Sequence, residues 1–224
     1  MEKILVEIRA AEGGSDARLL VTEQFGIYSR ACKIRSLWLT LVEERDSFVS
    51  FLVEGSDVQK LFSQEPGGHR FQRNPPTERR GRIHTSTITV VVLPIEAKIE
   101  KSLRESDIEY RTTKGSGPGG QHKNVTESEV IATHKPTGIQ VRIGTERSQH
   151  KNKAIAVAIL AGKIEELNRE KQRNDRDTIR RNQQGSGMRG DKVRTVRVQD
   201  GIVTCELTGR KTNFAQYSKG NIWF

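Results

Sequence analysis

Two periods of hydrophobicity divide the chain into blocks. Ile4, Val6 and Ile8 alternate with Glu7 and Arg9, which predicts an early strand. Gly13-Gly-Ser-Asp16 breaks it and offers Ser15 or Asp16 as a helix N-cap. Leu20, Gln24, Ile27, Tyr28 and Ala31 then recur at helical spacing and predict a helix of about five turns. Strand patterns near 37–44 and 48–54 follow, joined by a polar turn at Glu44-Arg-Asp46. A short helix is expected at 57–64, ending before Pro66-Gly-Gly68. Residues 84–94 are rich in β-branched types and predict another strand, whereas 67–83 read as a loop.

Residues 95–104 are charged, weakly patterned and linker-like. Beyond them, strand patterns at 107–113, 128–134 and 139–143 bracket a glycine-rich segment and a Pro136-Thr-Gly138 turn. A long helix is predicted from about Ser148, with Ala154, Val157, Leu160, Ala161, Ile164 and Leu167 as its apolar stripe. Gln184-Gly-Ser-Gly187 ends it. Two short strands, 193–197 and 201–206, are too few to fold alone and are expected to pack back on an earlier lobe. The fold class is α+β: an α/β sandwich over residues 1–100, completed by 186–224, and a smaller α+β domain over 103–184 with a long C-terminal helix. Residues 185–224 form the segment that returns to the first domain.

Composition narrows the partner. The 224 residues are 33% hydrophobic and 5% aromatic, with a formal net charge of +10. A surplus of that size points to a polyanion, with nucleic acid ahead of a membrane surface. Cys32 and Cys205 form no metal or disulfide pattern, so free thiols in a reducing compartment are expected and no metal or cofactor is called for. Met1 leads straight into the first strand without a signal sequence, and no apolar run reaches about 18 residues. The expected location is the cytoplasm.

The most specific chemistry lies at Gly115-Ser-Gly-Pro-Gly-Gly-Gln-His-Lys-Asn124. Four glycines and a proline in six positions lead to one neutral amide, Gln121. The glycines formally match a dinucleotide fingerprint, but the preceding run is polar and a strand, not a helix, follows. A phosphate-binding P-loop would carry Gly-Lys-Ser/Thr where Gln121-His122 stands. No Ser-His-Asp set or Cys-His pair accompanies the loop. It can act only by aiming backbone N–H groups and an amide at a substrate brought to it.

A second constellation spans Gly67-Gly-His-Arg-Phe-Gln-Arg-Asn-Pro-Pro-Thr-Glu-Arg-Arg-Gly-Arg-Ile-His-Thr-Ser86, with five arginines and two histidines against one glutamate. Arginine forks suit phosphate oxygens, and small hydroxyls, amides and an imidazole plane suit single-stranded RNA. A third, Glu146-Arg-Ser-Gln-His-Lys-Asn-Lys153, opens the long helix, with Ser148 as a cap.

These three strings, in this order, resemble bacterial-type class I peptide chain release factors and their ribosome-rescue relatives. The resemblance implies that Gly119, Gly120 and Gln121 are the catalytic loop for peptidyl-tRNA hydrolysis, with Gln121 also a target of N5-methylation. It implies codon recognition by Pro75, Pro76 and Thr77, a Pro-x-Thr tripeptide of the branch reading UAA and UAG. Thr77 would bond the first uridine with help from Gly13 and Asp16, His84 would stack on the second base, and Gln72 and Thr85 would contact the third. Arg70, Arg73, Arg82, Arg147, Lys151 and Lys153 would meet rRNA, and Gly185–Asp191 falls at the family's switch loop. Asp16 stands where the family usually has glutamate, Pro76 where it has alanine, and Lys123 at a usually apolar position. The family's N-terminal helical domain is expected to be absent, since Met1 aligns with the start of the codon-reading domain. The implied partners are the ribosome with its rRNA, mRNA stop codon and P-site peptidyl-tRNA, a class II release GTPase and a glutamine N5-methyltransferase, with the factor itself a monomer needing no cofactor. Hydrolysis would occur only together with the ribosome. Two alternatives stay open: a codon-independent rescue hydrolase and a non-catalytic A-site RNA-binding protein.

Overall fold

The structure is a computed structural model that describes residues 1–78, 80–95, 103–114, 126–185, 190 and 192–224. They divide into two compact units, Met1–Ala97 with Arg176–Phe224, and Lys98–Asp175.

The first unit is an eight-stranded sheet with a helix across one face, an α+β architecture. Its elements are β1 (Glu2–Ala10), α1 (Ser15–Ile34), β2 (Trp38–Arg45), β3 (Phe48–Gly55), α2 (Val58–Leu61) running into a 3-10 turn (Phe62–Gln64), β4 (Gly67–Arg73) and β5 (His84–Pro94). From the C-terminal part come β9 (Arg194–Arg197), β10 (Ile202–Cys205), β11 (Lys211–Asn213) and the short helix α4 (Phe214–Ser218). The strand order is β11-β10-β9-β4-β5-β1-β3-β2. The β4–β9 pair is parallel and the others are antiparallel. Ile4, Val6 and Ile8 of β1, Phe51 of β3 and Ile88 and Val90 of β5 meet Leu20, Ile27 and Tyr28 of α1 in one core.

In the first unit, sequence and structure part at three places. Residues 67–73 form a central strand, not a loop. The inward positions of β4 are His69, Phe71 and Arg73, and each of the two polar ones has a partner where it lies. The His69 Nε2–H donates to the Glu65 carbonyl at 2.9 Å, and Arg73 is held by carboxylates. Hydropathy alone gives no alternation there. Second, the helix cap is Gly14, at φ 60°, not Ser15 or Asp16. Third, β11 and α4 extend the tail beyond the two strands expected.

One buried polar knot ties the tail to the rest. Arg194, 2% exposed, donates to Glu65 Oε1 at 2.7 Å, and the Tyr28 hydroxyl donates to Glu65 Oε2 at 2.8 Å. The guanidinium also lies 5.4 Å from the ring centres of Tyr217 and Phe224. Burial opposes the charge on Arg194, but the facing Glu65 carboxylate together with the Tyr217 and Tyr28 hydroxyls outweighs it and raises the guanidinium pKa. Burial, then the Arg194 charge, lowers His69 to about 3, so this ring is neutral.

The second unit contains β6 (Ile108–Thr113), β7 (Glu129–His134) and β8 (Gln140–Ile143) as an antiparallel sheet, and α3 (Gln149–Gln184) as far as Asp175. Its core is small: Ile108, Ala132, Val141, Ala156 and Leu160, with Val157 and Ile164 packed against them. The expected stripe shifts accordingly. Asn152 and Ala156 are buried while Ala154 is exposed and Leu167 is 43% exposed. From Arg176 onward α3 belongs to the first unit, where Arg180 pairs with Glu7 at 2.7 Å and the Gln183 amide bonds both Val92 N–H and Val92 C=O. No helix among the described residues is long and apolar enough to cross a membrane.

Candidate RNA-reading site

The turn between β4 and β5 is built by its prolines. Pro75 is buried, and its carbonyl accepts from the Glu78 N–H at 3.0 Å. Pro76 and Thr77 are the exposed central residues of that turn. Proline suits the first central position because its ring presets φ. Thr77 therefore stands out at the tip of a turn with little freedom.

The turn folds back on β5 through Glu78. Its carboxylate accepts from the Arg80 N–H at 2.8 Å and meets His84 Nε2 at 2.7 Å and Arg82 at 3.1 Å. The Arg80 N–H, then the side chains of His84 and Arg82, hold the Glu78 carboxyl below its ordinary pKa. His84 is thus positioned by a residue that the sequence reading did not single out. An acidic residue six positions before a histidine, across a turn, was the only available signal.

Strand register sorts the remaining residues onto two faces. Arg73 pairs with His84, and Gln72 with Thr85. Successive side chains on a strand point to opposite faces. His84 therefore shares the α1 face with Arg73 and Ser86, while Thr85 and Gln72 lie on the far face.

The tip of α1 is pinned beside this strand. The Thr87 N–H donates to the Glu12 carbonyl at 2.7 Å and the Ala11 N–H to the Thr87 carbonyl at 3.0 Å. Gly13, at φ 128°, sits so close that a Cβ there would lie 2.5 Å from Ser86 Oγ. Only glycine tolerates both that dihedral and that approach. Asp16 is 2% exposed and is taken by Arg73, whose Nη2 lies 2.6 Å from Asp16 Oδ1 and whose Nη1 lies 2.5 Å from Glu23. Burial opposes the charge on Arg73, and the hydrogen bonds to Asp16 and Glu23 more than offset this and raise its pKa. Arg73 is an internal strut between β4 and α1 and not an outward phosphate ligand. Arg70 also turns to a protein partner, Thr195 Oγ1 at 3.3 Å, whereas Arg82 remains 65% exposed.

In the second unit, Arg147 and Lys151 are exposed at the start of α3, and Ser148 Oγ accepts from the Lys151 N–H at 3.5 Å. Lys153 is committed locally, with its ammonium 4.0 Å above the Tyr110 ring and 3.5 Å from Glu105. Gly119, Gly120, Gln121 and Lys123 lie outside the described residues, as does most of 185–191. What is described is the frame. Thr113 pairs with Glu129 at the open end of β6 and β7, and Arg142 braces Glu129 through Nε at 2.6 Å. Asn152, fully buried, donates to the carbonyls of Ser128 at 2.7 Å and Glu146 at 2.8 Å and accepts from the Glu146 N–H at 2.9 Å. Its place within the basic string at the helix start concealed it.

Comparison with known proteins bears on the family to which the chain is similar. The PCRF domain model matches residues 1–90, and the RF-1 domain model matches 97–205. A protein named Peptide chain release factor 1 from Nitratidesulfovibrio vulgaris is 41% identical over 89% of this chain and 58% of its own length. Its namesake from Caldicellulosiruptor saccharolyticus is 41% identical over 93% of this chain and 60% of its own length. The chain thus spans roughly three-fifths of the curated relatives it matches. Among solved structures, RF2 of Thermus thermophilus superposes with a TM-score of 0.56 at 28% identity, covering 99% of this chain and 65% of the other.

Proposed function

We propose that this chain, which belongs to the bacterial-type class I peptide chain release factor family, reads UAA and UAG codons in the ribosomal A site and promotes hydrolysis of peptidyl-tRNA in the peptidyl transferase centre. The observation that carries the reading is the gathering of Thr77, His84, Thr85 and Gln72 at one end of β4 and β5, beside the glycine-pinned tip of α1. Thr77 offers a hydroxyl to the first base. His84, held by Glu78, offers a ring face to the second. Thr85 and Gln72 meet the third from the opposite strand face, so the alternation of the strand itself separates the second and third bases.

Chemistry at the ester falls to Gly119, Gly120 and Gln121. Water attacks the carbonyl carbon. The Gln121 N–H donates to the developing oxyanion or to the departing 3′-oxygen, which leaves with a proton relayed from the water. The ribosome supplies the remaining geometry, so the chain acts only with it. Arg82, Arg147 and Lys151 are exposed cations suited to rRNA phosphates. A class II release GTPase and a glutamine N5-methyltransferase complete the partners, in the cytoplasm. A methylated Gln121 would add the mass of one CH2 unit to the peptide 115–124 from native protein.

Release of nascent peptide from ribosomes programmed with UAA, UAG, UGA or a sense codon is the test. Release at UAA and UAG alone is expected. Equal rates on all four codons would establish codon-independent rescue instead. Gly120→Ala is expected to lower the rate by about 100-fold, the typical cost of losing one oxyanion donor. Gln121→Ala is expected to lower it as well. Unchanged rates in both variants remove the loop from the mechanism, and a wild-type chain that never releases peptide leaves an RNA-binding module.

A further inference from the structure

Cross-strand partners share a sheet face, and the register sets Thr85 of β5, Gln72 of β4, Arg197 of β9, Ile202 of β10 and Asn213 of β11 in one transverse row. The row lies on the face away from α1, because Phe71 and Val196, which alternate with Gln72 and Arg197, belong to the core. Thr85 and Gln72 belong to the reading site. Arg197 is exposed, comes from a segment more than a hundred residues later, and has no part in the function described so far.

The backbone under Gln72 is fixed. Its carbonyl accepts from the Val198 N–H at 3.0 Å. The Gln199 amide, with its oxygen toward the Asn74 N–H at 2.8 Å and its nitrogen toward the Gln72 carbonyl at 3.2 Å, clamps the same stretch. What remains to be set is the Gln72 side chain, and Arg197 sets it: Nε–H donates to Gln72 Oε1 at 3.3 Å. A guanidinium has donors and no acceptor, so the neighbouring amide must turn its oxygen toward it. The end of Gln72 left for a ligand is the NH2 group.

We infer that Arg197 is a specificity-determining residue that fixes Gln72 as a hydrogen-bond donor, so that the purine read beside Thr85 is preferred as guanine over adenine. The inference rests on the codon-reading function proposed above. The two purines differ at position 6, where guanine carries an acceptor oxygen and adenine a donor amino group. A free glutamine adapts by rotating its amide. Here rotation breaks the bond to Arg197 and turns the NH2 group against the guanidinium. The Thr85 hydroxyl donates or accepts and adds no bias of its own. Arg197 touches no base in this scheme; it is a positioning residue acting through Gln72.

The test is the ratio of peptide-release efficiency, kcat/KM, on UAG against UAA ribosomes. One hydrogen bond gained or lost predicts a wild-type ratio of about 5 in favour of UAG. Arg197→Ala is expected to bring the ratio near one, chiefly by raising release at UAA. Arg197→Lys, whose ammonium is also donor-only, is expected to keep most of the bias. In a Gln72→Ala background, Arg197→Ala is expected to change the ratio no further. Both codons are read by one preparation, so a merely weakened fold does not move the ratio. A wild-type ratio of one or below, or a bias that survives Arg197→Ala, overturns the inference and leaves the termination function standing. A chain silent on both codons overturns the two together.

Discussion

The open end of β4 and β5 and the open end of β6 and β7 each carry a segment assigned to function, and they are built on different principles. At the first, the residues that hold the site come from far apart in the chain. Arg73 reaches Asp16 and Glu23, Gly13 packs on Ser86, and Arg197 meets Gln72. At the second, the supports are near neighbours: Thr113 with Glu129, Arg142 with Glu129, and Asn152 with Ser128 and Glu146. A reading surface assembled from the whole first unit exists only when that unit is folded. A loop frame assembled from one short stretch of chain keeps its own stability.

Four substitutions probe that contrast. Glu65→Ala strands the buried Arg194 charge and is expected to cost about 3–5 kcal/mol, the usual penalty for breaking a buried pair from one side. Urea unfolding followed by hydrogen exchange should show β4, β9 and β10 opening while β6 and β7 keep their protection. Loss of protection in both units together would contradict the independence of the second frame. Gly13→Ala is expected to cost about 2–3 kcal/mol through the Ser86 clash and the positive φ, and to weaken stop-codon binding more than its melting loss accounts for. Asn152→Ala leaves two carbonyls and an N–H unsatisfied in the second unit. A loss of about 2 kcal/mol, with faster exchange at 126–129 and unchanged exchange at 67–73, is expected.

The fourth effect is one of pH. His69 has a folded pKa of about 3 against an ordinary 6.5, so the unfolded chain binds the proton and the folded chain does not. Stability is therefore full above pH 6.5 and falls as pH drops from 6.5 toward 3, by about 1.4 kcal/mol per unit. His69→Phe should flatten this slope in urea titrations between pH 6.5 and 5, and an unaltered slope would assign the dependence to other groups.

The outline of the fold was legible where hydrophobicity is periodic. Residues 4–8, 20–31, 48–54 and 84–94 form the strands and helix that their spacing predicts. β4 was not legible, since His69 and Arg73 occupy inward positions and owe their tolerance there to Glu65 and Asp16. The same cause turned Arg73 from an expected phosphate ligand into a strut. Thr77, His84, Thr85 and Gln72 were named from the order of residues, but nothing in that order said that the last two share a face with Arg197 while His84 faces the other way.

Residue order alone established the mixed architecture, the basic surplus, the glycine-rich segment ending in Gln121 and the Pro75–Thr77 string, because each is written in consecutive side chains. Only the tertiary structure decided which charges are buried, which amide is oriented and which helix face meets a sheet. Those outcomes depend on strands that pair across more than a hundred residues, and neither the desolvation of a charge nor the turn of an amide is settled until its distant partner arrives.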